Sequence, residues 1–265
     1  MTMRAGVREG CAWVIDGATD LHEPPLTPAA SDAAWIAQFA NARLSAQAAP
    51  GDEASLRALV RRTSEAAAQA FVDAAGAFPA DGWQWPLASM LIAAENENGI
   101  TGLDLGDCRF YALDESGEAF AFGGPPSAAD NETQLATRAA ASAGGAPLLR
   151  HADTIAMLRR MRGTQNTANG SWTFCLLPEC ADQARAWRVS LKRPAHILLA
   201  TDGFSALVDR YAAHDPASLI RAALDQGLQE LGRSLRAIET GDASGSQHPR
   251  WKRSDDATAL LLRLT

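Results

Sequence analysis

Three acidic positions sit where apolar runs stop. Trp13-Val14-Ile15 leads into Asp16-Gly17, Ile197-Leu198-Leu199-Ala200 leads through Thr201 into Asp202-Gly203, and Asp255-Asp256 precedes the apolar C-terminal run from Ala257 to Leu264. Runs this short predict buried strands rather than helices. A carboxylate at the mouth of a buried strand is costly unless a positive charge compensates it. If the three strands end at one edge, the natural compensation is a hard divalent cation such as magnesium or manganese, which takes a few carboxylates and keeps several waters. Two such ions would lower the pKa of a bridging water and neutralise an anionic ester, so the implied chemistry is metal-assisted phosphoester hydrolysis. Asp-Gly is also a common turn dipeptide, and Asp81-Gly82 is read as only that. Gly241-Asp242-Ala243-Ser244-Gly245 matches a serine-hydrolase elbow but lies in a polar loop with no strand before it, a chance match.

The elements that must position these residues are legible in outline. Residues 11–16 read as a strand. After a proline-bearing loop, Ser31 or Asp32 caps a helix with Trp35, Ile36, Phe39 and Leu44 on one face, and Pro50-Gly51 breaks it. A second helix runs from Glu53 to Phe78. Residues 88–95, 100–105, 108–113 and 118–122 read as strands of an antiparallel meander, with hairpin turns at Asn96–Gly99 and Asp114–Gly117. Residues 123–147 hold a helix between loops, 151–162 a helix with a basic end, and 163–180 a mobile segment. A strand at 195–200 is followed by a helix over 204–213, a further helix from Pro216 to Ile238, a polar loop and the last strand. No repeat or linker divides the chain, so a single domain over residues 1–265 of the α+β class is expected.

Composition narrows the function. With 265 residues and 47% hydrophobic content the chain can bury a real core. A net charge of −7 argues against non-specific nucleic-acid binding. No apolar stretch is long enough to cross a membrane, and the N-terminus lacks the apolar core of a secretory signal. Cys175 and Cys180 are close enough in sequence to pair, but four cysteines without zinc-like companions read as reduced thiols of a cytoplasmic protein.

Taken in order, four motifs resemble the metal-dependent protein phosphatases of type 2C. They are Asp16-Gly17 at an early strand end, Gly106-Asp107-Cys108-Arg109 in place of a Gly-Asp-Ser-Arg signature, Ala200-Thr201-Asp202-Gly203, and Asp255-Asp256-Ala257-Thr258 before the last strand. The resemblance covers almost the whole chain. It implies a four-layer αββα sandwich, two antiparallel sheets flanked by helices, with two divalent cations, manganese or magnesium, at one end. It implies that Asp16 bridges the ions, that the Gly17 carbonyl holds one, and that Asp202 and Asp255 ligate the other. Asp16 and Asp202 are thus the catalytic pair, with Asp107, Asp20 and Asp256 as supporting carboxylates. The implied reaction is attack of metal-bound hydroxide on phosphoserine or phosphothreonine of a protein substrate, in a cell that holds a cognate serine/threonine kinase.

The sequence departs from that pattern in three ways. The family has one more strand before the first Asp-Gly, bringing a phosphate-gripping arginine and a Glu-Asp pair. Here fifteen residues precede Asp16, with only Arg4 and Arg8 among them, so either the chain begins upstream or that half of the site and an edge strand are missing. Ala18 stands where relatives often carry a histidine acid, and Ala206 where they carry another aspartate. His151, His196 and His214 are read as structural or exposed. Arg159, Arg160 and Arg162 form either a solvated helix face or a phosphate grip, and Thr164 to Trp172 correspond to a mobile flap or to a plain loop. The alternative function is a pseudo-phosphatase, a binding or regulatory module on the same fold. A haloacid-dehalogenase reading fails because Ala18 occupies the position of the required second aspartate.

Overall fold

The computed structural model describes residues 2–97, 99–124, 133–137 and 152–265. Most of the expected helix within 123–147 and His151 lie outside them, apart from one helical turn at 133–137. The strands are β1 (Met3–Arg8), β2 (Cys11–Gly17), β3 (Ala88–Asn96), β4 (Gly99–Leu105), β5 (Arg109–Leu113), β6 (Ala119–Phe122), β7 (Arg185–Val189), β8 (Ala195–Ala200) and β9 (Ala259–Leu264). The longer helices are α1 (Asp32–Gln47), α2 (Glu53–Ala75), α3 (Ala152–Thr164), α4 (Cys180–Gln183), α5 (Asp202–Asp209), α6 (Pro216–Gln226) and α7 (Leu228–Gly241). All strand pairings are antiparallel, in one sheet ordered β1-β2-β3-β4-β7 and another ordered β6-β5-β8-β9.

Period-two alternation builds the layers. Ala12 and Val14 of β2 meet Phe110 and Ala112 of β5 and Ile197 and Leu199 of β8 in the slab between the sheets. Cys11, Trp13 and Ile15 point the other way, onto Ile36, Ala40 and Leu44 of α1 and Leu59, Val60 and Phe71 of α2. Tyr111, Leu198 and Ala200 pack outward on Phe204 and Leu207 of α5, Leu219 and Ile220 of α6, and Leu231 and Leu235 of α7. The result is the four-layer αββα sandwich.

Several local expectations are corrected. The missing edge strand is present: β1 pairs along β2 from Met3–Asp16 to Arg8–Cys11. Glu9 and Gly10, with φ of 46° and 79°, make the two-residue turn that both-positive φ values favour. Gly6 is required there, because a Cβ would lie 2.4 Å from the Trp13 ring that crosses it. The supposed meander is split between the sheets, since residues 106–108 carry the chain from β4 to β5. The single helix from Pro216 to Ile238 is two helices, broken at Gly227 with φ of 85°. The second helix stops at Gly76 (φ 84°), before Phe78. β7 falls in a stretch left without structure in the sequence reading. Its Trp187 lies across Gly102 of β4 and stacks with Phe110 and Phe122 of the other sheet.

Candidate metal centre

Strand register brings the acidic positions together. In the first sheet Asp16 faces Ser89 and Met90 faces Leu105, so Asp16 and the Gly106 turn lie at one end. In the second sheet Arg109 pairs with Ala200 and Ala200 with Ala259. Asp107, Asp202 and the Asp255–Asp256 pair therefore follow or precede those strands at the same end. Asp16 continues the inward parity of Ala12 and Val14, which aims it between the sheets.

Glycines set how closely these ends approach. A Cβ on Gly203 would sit 1.9 Å from the Asp256 carbonyl oxygen and 3.4 Å from Asp255 Cβ, so only glycine lets the 255–256 segment close on the first turn of α5. Thr201 fixes the same junction: its amide donates to the Thr258 carbonyl at 3.0 Å, and its Oγ1 accepts the Thr258 amide at 3.1 Å. A Cβ on Gly17 would lie 2.2 Å from the Ala33 carbonyl oxygen, where α1 begins. Gly106 turns with φ of 86° directly over Ser89. There the Ser89 hydroxyl donates to Asp107 Oδ1 at 2.6 Å. Ser89 carried no signal in the sequence beyond its place in a strand.

Electrostatics confirm the convergence. Burial pushes the Asp16 carboxyl well above the usual carboxylate range, and the charge and hydrogen bond of Asp202 and the charges of Asp107 and Asp255 push it further. Burial likewise raises the Cys108 thiol, with Asp107, Asp16 and Asp202 adding to it. One cation reaches the cluster from the facing turn: Lys252 Nζ donates to Asp255 Oδ1 and to Thr19 Oγ1, both at 3.0 Å. Burial works against the Lys252 charge, but Asp255, then Asp202 and Asp16, carry its pKa upward. Among the described residues no three acidic, histidine or cysteine side chains close around a single point. The donor chemistry nevertheless fits a hard divalent cation: oxygen ligands only, in mutual repulsion that raises the Asp16 pKa.

The remaining expected residues have other partners. Asp20 accepts the backbone amides of Asp32 at 2.8 Å and Ala33 at 3.0 Å, holding the start of α1. Ser31 is the cap of that helix, and the buried Asp32 carboxylate ties Leu26 and Thr27. Asp256 Oδ2 accepts from the Thr2 hydroxyl at 3.1 Å. Asp209, seven positions after Asp202, lies 3.3 Å from Arg109 Nε and accepts from Ser205 at 2.9 Å.

The cluster floors a cleft of about 710 Å³ lined by Thr19, Asp107, Arg109, Arg162, Arg185, Asp202, Lys252 and Asp255. The basic run on α3 is largely committed. Arg159 donates to the Leu21 carbonyl and lies 4.3 Å above the Trp83 ring, and Arg162 donates to the Thr19 carbonyl at 2.6 Å. Burial lowers the Arg162 pKa to about 10, against the opposing charge of Asp20. Both arginines thus pin α3 to the loop that follows Gly17. The segment after α3 returns to the site: the Gly106 amide donates to the Trp172 carbonyl at 3.0 Å, and Gln165 and Ser171 line the cleft.

Residues 3–236 match the family model for protein phosphatase 2C. Similar solved structures include the Mycobacterium tuberculosis serine/threonine phosphatase PstP/Ppp, 15% identical with a TM-score of 0.56, covering 98% of this chain and 90% of that one. The PPM Ser-Thr phosphatase MsPP from Mycobacterium smegmatis, in complex with cacodylate, is 13% identical with a TM-score of 0.53, covering 99% and 90%. PppA, a regulatory component of the type VI secretion system of Pseudomonas aeruginosa, is 16% identical with a TM-score of 0.52, covering 98% and 89%. No curated protein matches the sequence.

Proposed function

From the premise that the chain belongs to the protein phosphatase 2C family, we propose that it hydrolyses phosphoserine or phosphothreonine in proteins at a magnesium or manganese centre on the Asp16, Asp107, Asp202 and Asp255 cluster. The observation that carries this reading is the strand register that sets Asp16, Asp107, Asp202 and Asp255 at one end of the sandwich, with the last three lining the cleft. Asp16, the Gly17 carbonyl, Asp202 and Asp255 are the groups to hold the metal, which when bound supplies Lewis-acid polarisation and a lowered water pKa.

This chain's own residues do the rest. Gly203 and Thr201 hold Asp202 against the 255–256 segment, and Ser89 fixes the rotamer of Asp107. The walls carry Arg109, Arg162, Arg185 and Lys252 near the acidic floor, a charge pattern suited to drawing in a phosphorylated, anionic peptide.

Full-length protein should hydrolyse p-nitrophenyl phosphate and a phosphothreonine peptide with manganese, and Asp202→Asn should remove that activity. Activity unchanged in the variant or in excess chelator overturns the proposal. Weak manganese binding without any turnover favours the alternative, a regulatory binding module on the same fold.

A further inference from the structure

We infer that Lys252 is a tethered counter-cation of the aspartate cluster, holding with its ammonium the place of one of the two divalent ions, so that this chain takes up one ion rather than two. The inference rests on the metal centre proposed above and refines its composition.

The geometry is specific. Lys252 Nζ lies 3.0 Å from Asp255 Oδ1, a carboxylate expected to ligate metal, and 3.0 Å from Thr19 Oγ1 across the cleft mouth. The same Asp255 oxygen accepts the Asp256 amide at 2.9 Å, so it already has two donors. A divalent ion on that oxygen would sit beside a like charge, and the repulsion opposes its uptake.

Lys252 and Asp255 form an i,i+3 pair whose side chains are 35% and 36% exposed, and the turn that carries them is itself fixed. The turn is anchored by Arg250, whose side chain is 3% exposed. Arg250 Nε donates to the Arg253 carbonyl at 2.9 Å, closing the turn around Lys252. Its Nη1 donates to Asp242 Oδ2 and to the His248 carbonyl, each at 2.9 Å, and its Nη2 donates to the Glu239 carbonyl at 3.1 Å. A buried, fully engaged arginine two residues earlier therefore delivers Lys252 to the cluster already positioned. The cost of immobilising a long side chain is correspondingly reduced.

The test is titration of the metal-free full-length chain with manganese by calorimetry, with manganese electron paramagnetic resonance to detect a spin-coupled pair of ions. Wild type should bind one ion per chain and show no coupled-pair signal. Lys252→Met should bind two ions and acquire that signal, and Lys252→Arg, which keeps the charge, should behave as wild type. Two ions in wild type, or one ion in a folded Lys252→Met, overturns the inference and leaves the metal centre standing. No manganese bound by wild type overturns the inference together with the proposed function.

Discussion

Asp16 and Asp114 end strands of the two sheets, each after an apolar run, and their surroundings are opposite. Asp114 accepts the Ser116 hydroxyl at 2.6 Å, the Glu118 amide at 3.1 Å and the Lys192 amide at 3.3 Å. These bonds, the Ser116 one foremost, draw its pKa below the ordinary value of 3.8. Asp16 is half-buried, and desolvation together with the charges of neighbouring carboxylates raises its pKa. The fold satisfies one aspartate with its own backbone and leaves the other to be satisfied from outside. A carboxylate the protein does not complete is the better candidate for a ligand.

Neutralising each in turn should separate them. Asp16→Asn should lose essentially all phosphatase activity, measured with p-nitrophenyl phosphate and manganese. It should also raise the metal-free melting temperature, because the mutual repulsion with Asp202, Asp107 and Asp255 disappears. A fall in metal-free stability would mean that the cluster does not strain the fold. Ser89→Ala releases Asp107 without touching the other carboxylates, and should weaken manganese affinity by roughly 10–100-fold, as loss of an outer hydrogen-bond partner does; calorimetry reads this directly. Gly203→Ala forces a methyl onto the Asp256 carbonyl and should cost roughly 1–3 kcal/mol in chemical denaturation.

Asp114→Asn should be the mildest, with turnover intact and a small loss of stability. Its pH dependence has a definite sign. Because folding depresses the Asp114 pKa, its contribution is present above about pH 3.8, the unfolded value, and is lost as pH falls through the lower folded value. Acid denaturation of wild type and Asp114→Asn should therefore converge below that window.

The contrast also marks where sequence reading runs out. Ile15-Asp16-Gly17 and Leu113-Asp114-Glu115 have the same local form, and strand patterning places both correctly at strand ends. Which end of the sandwich each occupies depends on register, which only the ladder supplies. The order of the motifs compensated for that, and Asp202 and Asp255 lie at the same end as Asp16. Ser89 and Lys252 escaped notice because their importance lies in what faces them across 18 residues and across the cleft. β1 was hidden by a Glu-Gly turn, a pair weaker as a hairpin signal than Asn-Gly. The basic run of α3 predicts either a solvated face or a phosphate grip, whereas Arg159 and Arg162 hold backbone carbonyls.

The short crossover at residues 106–108 bears on the order in which the chain assembles. β3 and β4 of the first sheet and β5 and β6 of the second form two hairpins within residues 88–122, by local pairings and brief connections. Such contacts close at small entropic cost and form a natural folding nucleus. The Ser89–Asp107 bond belongs to it. Asp16 meets Asp202 only when a loop of 186 residues (202 − 16) has closed. With that closure late, Asp16→Asn should slow unfolding while leaving the folding rate nearly unchanged in denaturant-jump kinetics.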